Sequence, residues 1–422
     1  MQICISNANL HGWHMIDHPY LPRSLDPILS RAAREFPAIV LTGPRQSGKT
    51  TLLRRLFGNT HRYHSLELPD VRAAALSDPR GFLELNPPPV IFDEIQYAPG
   101  LLPYIKEDID AHRSARGRYL LTGSQNLLMA EAITETLAGR AAMLRLLPLA
   151  YREQSGQPEA PLPWEAAGKS AQRSSLGLSD LWSNLLRGSY PELVAEPGGD
   201  AALWHTSYIQ TYLERDVRWL RLVGDLTLFQ SFLRALAARC GQLLNLSDMA
   251  RDLGISANTS KAWLSVLEAT YQVLVLRPYF ANVGKRLVKT PKIYFTDTGT
   301  LCALVGLKSP EHAASGPMGG AIFETAVIME VFKTIVHRGQ EPQLYFWRTS
   351  NGQEVDLVVD SGGQLTPIEI KQSATPHPGM AAGINAFREA LGQRAGPGWL
   401  VHPGDTQLPL GPNVRTLPFA EL

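Results

Sequence analysis

Cysteine is scarce in this sequence: Cys4, Cys240 and Cys302 are the 3 in 422 residues. They lie far apart, which excludes a disulfide framework and paired-cysteine zinc sites and favours a reducing compartment. Charge of one sign is not in excess either. Lys and Arg total 40 against 39 Asp and Glu, a formal net charge of +1. Any nucleic-acid surface must therefore be a local patch. Long apolar runs are missing, so no membrane-spanning helix is expected. The first residues lack a charged lead and an apolar stretch, so no secretory leader is expected and the chain reads as cytoplasmic. Residues 1–14 show no periodic pattern, which makes Met15 an alternative start. The 11 histidines do not cluster at metal spacing, and no internal repeat is present. What is there is ordinary folded protein, 44% hydrophobic and 19% charged. At roughly 150 residues per domain, two to four domains are expected.

The first half alternates short apolar runs with helix-like segments. The runs are 38–42, 90–92 and 119–122. Bounded by turns and separated by helices, they read as buried strands of a parallel sheet. Residues 154–179 are rich in Pro, Gly, Ser and Ala and read as a loop or insertion. Residues 182–222 read as helical. Further on, helices are expected at 228–240, at 247–253 with Ser247 as N-cap, and at 256–270. Strands follow at 273–276 and 292–295. This order of helix, helix-turn-helix and hairpin resembles a winged helix. The last hundred residues suggest a helix over 322–336 and strands around Tyr345, at 355–359 and at 368–370.

Gly43-Pro44-Arg45-Gln46-Ser47-Gly48-Lys49-Thr50 fills every fixed position of G-x-x-x-x-G-K-[ST], between a strand and a helix. Glycines allow the backbone to wrap an anion with its N–H groups, and the next helix points its positive end at the phosphates. Lys49 would neutralise the outer phosphates and Thr50 would ligate Mg²⁺. Thr51 follows on the first turn and completes the nucleotide-binding set. Val90-Ile91-Phe92-Asp93-Glu94 ends a strand with two acids. Asp93 suits the metal shell and Glu94 the base that orients or deprotonates the attacking water. The third run ends in Thr122-Gly123-Ser124-Gln125-Asn126. Ser124, with Asn126 second, is the candidate beside the γ-phosphate, and a hydrogen-bonded turn is the alternative. Arg140 could act as an arginine finger or pair with a surface acid.

Two features of the second half carry chemistry. The helix at 256–270 begins with small and polar residues, as a base-reading helix does. The hairpin carries Lys285, Arg286, Lys289 and Lys292, which could touch phosphate. Contact with a protein partner is the alternative. The second feature is Asp356 at the start of one strand, followed by Pro367-Ile368-Glu369-Ile370-Lys371 on another. Alternation puts Glu369 and Lys371 on one face. Two acids and a lysine converging there could bind Mg²⁺ and orient a water for phosphodiester attack, with Glu324 adding a further ligand. A cross-strand salt bridge is the alternative.

Taken in order, these elements resemble the AAA-type branch of P-loop ATPases. Leu41-Thr42-Gly43-Pro44-Arg45-Gln46, Asp93-Glu94-Ile95-Gln96 and Leu121-Thr122-Gly123-Ser124 are similar to one prokaryotic family with an AAA-type domain and a C-terminal domain of unknown function. Gly188-Ser189-Tyr190-Pro191-Glu192 and Tyr212-Leu213-Glu214-Arg215-Asp216 fit it too. Asp356, Glu369 and Lys371 resemble the signature of restriction-endonuclease-like nucleases, which implies metal ligation by Asp356 and Glu369 and a catalytic Lys371. The resemblance implies an α/β P-loop NTPase sheet, then a helical lid, a winged helix and an α/β restriction-endonuclease-like domain. The expected boundaries are a tail at 1–22, the ATPase domain at 23–150, the loop insertion and lid at 151–224, the winged helix at 225–305 and the last domain at 306–422. ATP or ADP and Mg²⁺ are the expected cofactors. Nucleotide and DNA are the expected partners, with no membrane, and a homo-oligomer is in keeping with an arginine reaching a neighbour's site. The expected activity is ATP hydrolysis. A nucleotide-dependent switch binding a protein partner, with the nuclease-like centre inactive, is the alternative.

Overall fold

A computed structural model describes residues 20–123, 136–166, 176–212, 225–279 and 289–422. Its first layer is a five-stranded sheet in the order β2-β3-β4-β1-β5. The strands are β1 (Ala38–Thr42), β2 (Arg62–Ser65), β3 (Val90–Asp93), β4 (Tyr119–Gly123) and β5 (Ala141–Arg145). Every pairing is parallel. β1, β3 and β4 are buried along their whole length, as strands covered on both faces must be. Helices Asp26–Glu35, Lys49–Phe57 and Leu102–Ala111 are among those that flank it. This is a P-loop NTPase fold.

The expected helix over 182–222 is interrupted. It forms Leu178–Arg187, Pro191–Ala195 and Ala201–Tyr212. Gly188, at φ +88°, and Pro191 end the first piece and start the second. Part of the expected loop packs as core: Leu162 is fully buried, and Trp164 lies 6.4 Å from Trp399, ring centre to ring centre.

The helix-turn-helix comprises Leu226–Ala237, Leu246–Asp252 and Ala257–Ala269. Ser247 is not the cap expected for the second helix. Asn245 stands in extended geometry before it and accepts from the Ser247 and Asp248 amides at 3.1 and 3.2 Å. Ser256 caps the third helix through the Thr259 amide at 3.0 Å.

The second sheet has eight strands in the order β12-β13-β11-β10-β9-β8-β6-β7. They are β6 (Val273–Pro278), β7 (Lys292–Phe295), β8 (Leu344–Arg348), β9 (Glu354–Ser361), β10 (Gln364–Ile370), β11 (Gly398–His402), β12 (Pro409–Gly411) and β13 (Val414–Pro418). β6 pairs antiparallel with β7 and parallel with β8. The hairpin after the helix-turn-helix is thus continuous with the C-terminal sheet. Helix Gly319–His337 lies against this sheet and is buried nearly all round. Its apolar residues fill the core, but it also carries Glu330, Lys333 and His337 buried and Glu324 half-buried. Buried polar and charged groups persist only where they are paired, and each of these four has partners.

Candidate functional site

The phosphate loop leaves β1 at its C-terminal end. Gly43 has φ +147°, and a Cβ there would lie 2.0 Å from the Leu146 carbonyl oxygen, so only glycine fits. Gln46 and Gly48 are also left-handed, at φ +60° and +92°. Pro44, Ser47 and Lys49 are buried, Arg45 and Thr50 half-buried, and Thr51 exposed on the first turn of the helix. Lys49 Nζ donates to the loop's own carbonyls, Gly43 at 3.0 Å and Pro44 at 2.8 Å.

Asp93 closes the other side. Thr50 Oγ1 lies 3.0 Å from both of its oxygens. Tyr63 donates to Oδ2 at 2.8 Å, and Thr122 donates to Oδ1. Thr122 Oγ1 also accepts the Glu94 amide at 3.0 Å. Burial and the Asp93 charge push the Tyr63 hydroxyl well above its usual range, so it stays a donor. Glu94 has φ +58°, and its carboxylate accepts from the Gln96 amide. A hydroxyl and a carboxylate facing one point are the oxygen donors that Mg²⁺ takes. The loop, Lys49, Thr50 and Asp93 therefore fit a magnesium-bound nucleotide.

Ser124 and Asn126 lie outside the described residues, as do Lys285 and Arg286. Arg140 stands at the start of β5 and pairs with Asp110 at 2.8 and 3.0 Å. The strands are parallel, so the loop is at their other end, about 16 Å away at the rise of four to five residues. Within one chain Arg140 does not join the nucleotide site.

Sequence reasoning missed Arg23. It is buried, 4% exposed, and donates to the Ser47 carbonyl at 3.0 Å and to the Leu147 carbonyl at 2.6 Å. Its Nε lies 3.2 Å from Glu153, which is fully buried. Glu153 also accepts the Ser24 and Ala150 amides, both at 2.8 Å. Burial alone would raise the Glu153 carboxyl, but Arg23, His337 and these donors outweigh it and hold it far below the usual range. His337 Nε2 accepts the Leu147 amide at 3.0 Å, so Nδ1 carries the proton toward Glu153 at 3.1 Å. Ser47 is 24 residues from Arg23, and Leu147 and Glu153 are more than a hundred away, so no local pattern signals them. Tyr63 was also missed, because β2 is short and polar.

The second cluster assembles where β7, β9 and β10 meet helix Gly319–His337. Asp356 Oδ2 accepts the Ile370 amide at 2.9 Å, and Lys371 Nζ lies 2.5 Å from Glu369. Lys292, expected as a phosphate-facing wing residue, is instead buried at 4% exposure. Its ammonium lies 2.7 Å from Glu354, 3.0 Å from Glu324 and 3.8 Å from Asp356. Burial and the Asp356 charge push Glu369 up to about 8 and Glu324 up to about 7. Glu369 Oε2 is buried without a hydrogen-bond partner, and its other oxygen meets Lys371. Among the described residues no group of three or more His, Cys, Asp or Glu is arranged to hold a metal ion. With Lys292 seated among the acids, the cluster does not fit a divalent cation.

Fold and loop together define an ATPase-type nucleotide-binding protein of the AAA class. An AAA domain matches residues 35–155, a domain of unknown function (DUF8612) matches 178–311, and another (DUF4143) matches 319–422. An uncharacterized protein of Mycobacterium tuberculosis and one of Mycobacterium bovis are each 31% identical over 396 residues, covering 93% of this chain and 82% of theirs. The chain belongs to the family of these mycobacterial proteins. The Walker-type ATPase of Pyrococcus abyssi is 18% identical, with a TM-score of 0.45, covering 68% of this chain and 96% of its own. Among the described residues no helix is long and apolar enough to cross a membrane.

Proposed function

We propose that the chain is a Mg²⁺-dependent ATP hydrolase that works with DNA through its helix-turn-helix. The observation that carries the hydrolase reading is the meeting of Thr50 and Asp93 at 3.0 Å beside the loop that holds Lys49. Thr50 and Asp93 would hold Mg²⁺, which when bound would supply positive charge against the phosphates. Lys49 would exchange its two loop carbonyls for phosphate oxygens. Loop amides would bind the phosphates, and Asp93, fixed by Tyr63 and Thr122, would orient the metal's shell. Glu94 sits next in sequence, half-exposed, where it can take a proton from an attacking water. Ser124 remains the candidate sensor of the γ-phosphate, and Arg140 serves only if it reaches a neighbouring copy's site.

The DNA reading rests on helix Ala257–Ala269. Ala257, Asn258, Lys261 and Ser265 share an exposed face, and Lys289 is exposed on the hairpin beside it. Such a face suits a base-edge and phosphate contact. Phosphate release by wild type, Lys49→Ala and Glu94→Gln, with and without duplex DNA, tests both parts. Equal release by all three chains refutes the hydrolase. Hydrolysis that is unaffected by DNA, with no shift in DNA anisotropy, refutes the DNA part and leaves a nucleotide-dependent switch on a protein partner.

A further inference from the structure

The carboxylates around Asp356 already have a cation, and it belongs to the chain. Four acids meet here: Glu324, Glu354, Asp356 and Glu369. Three cations are interleaved with them. Lys292 touches Glu324, Glu354 and Asp356, Lys371 touches Glu369, and Arg348 touches Glu354 at 2.9 Å. A divalent ion added to this group would lie against the Lys292 ammonium, whose side chain is only 5% exposed, so that like charges repel with little screening. It would also need oxygens at about 2.0–2.6 Å, the space the ammonium fills.

Lys292 is not a side chain that can simply swing away. It stands on β7, whose residues are all buried. Its backbone pairs with Leu276 of β6 on one side and bridges to Leu243 on the other. The stem passes the Phe346 ring, with Nζ 5.7 Å from the ring centre. Tyr294, two residues along the same strand, donates to Glu324. Withdrawing the ammonium would break its contacts with Glu324, Glu354 and Asp356 and leave those acids facing one another without it.

We propose that Lys292 is the resident cation of this cluster, standing where a divalent metal would bind. The C-terminal domain therefore takes up no divalent metal at Asp356 and Glu369 and does not cut phosphodiesters by metal-assisted attack. Lys292 instead rivets the hairpin of the helix-turn-helix to the C-terminal sheet. This does not depend on the nucleotide reading.

Mn²⁺ uptake by the nucleotide-free full chain, followed by electron paramagnetic resonance, tests it. Wild type and Asp356→Asn should take up Mn²⁺ alike, so that any ion at Thr50 and Asp93 cancels. Lys292→Met should gain one ion, bound at least tenfold tighter than anything the wild type holds at this cluster. Adding Asp356→Asn to Lys292→Met should abolish that ion. Uptake by wild type that disappears in Asp356→Asn overturns the proposal. So does a folded Lys292→Met chain that gains no ion. If Lys292→Met does not fold, the comparison of wild type with Asp356→Asn decides alone: a difference overturns the proposal and equality supports it.

Discussion

Replacing Arg23 by methionine keeps the length and apolar stem of the side chain and deletes its charge and donors. Glu153 would then be left with a full negative charge at 0% exposure. Breaking a buried pair by removing one partner costs about 3–5 kcal/mol. The Ser47 and Leu147 carbonyls lose a donor as well, at about 1 kcal/mol each or more. The amide donors of Ser24 and Ala150 and the His337 ring remain with Glu153 and temper the first figure. A loss of about 4 kcal/mol is expected, read as a lower urea midpoint with an unchanged slope. The pH dependence has a definite sign. Glu153 titrates far below its unfolded value, so its contribution is full above about pH 4.5 and fades only as pH falls toward its folded value. Wild type and Arg23→Met should therefore differ by a constant amount from pH 6 to 8 and converge in strong acid. Because Arg23 grips the Ser47 carbonyl, ATP affinity should fall with stability. A loss below 1 kcal/mol, or a gap that widens in acid, would refute the reasoning. The double variant Arg23→Met with Glu153→Gln should recover part of the loss, since no buried charge is left alone.

Gly43→Ala should abolish nucleotide binding, because its Cβ would need the space of the Leu146 carbonyl. Isothermal titration with ATP checks it, and wild-type affinity would contradict the geometry. Cys240 and Cys302 are buried, and burial pushes their thiols up to about 11 and about 12. Neither should react with a thiol reagent at pH 8 until the chain is unfolded, and fast labelling of either in the native state would be a failure of this account. Asn245→Ala should cost about 1 kcal/mol through loss of two capping bonds, whereas Ser247→Ala should cost far less. Equal effects in urea unfolding would return the cap to Ser247.

The nucleotide site was legible because its information is local. Gly43 to Thr50 is one contiguous stretch, and β1 and β7 run over the residues their apolar patterns mark. β3 and β4 each extend one residue past the pattern. Asp93 and Glu94 could be placed because a strand end next to such a loop has few positions to choose from. Arg23 could not be found this way, since its partners are brought to it only by tertiary folding. Lys292 shows the opposite difficulty. A lysine among basic neighbours reads as solvated, yet Lys-Ile-Tyr-Phe packs inward at every position and carries the charge with it. β2, β5 and β12 gave little signal, because short strands at a sheet's margin owe their form to the neighbours they pair with.

One sheet runs from the hairpin at Val273 to the chain's last strand. Severing the polypeptide near residue 305, to obtain two smaller pieces for expression, would strip β8 of β6, one of its two partners, and bare main-chain amides and carbonyls on that side. Such an open margin invites pairing with other molecules and precipitation. Fragments meant to be studied alone should begin upstream of residue 225 and carry everything after it.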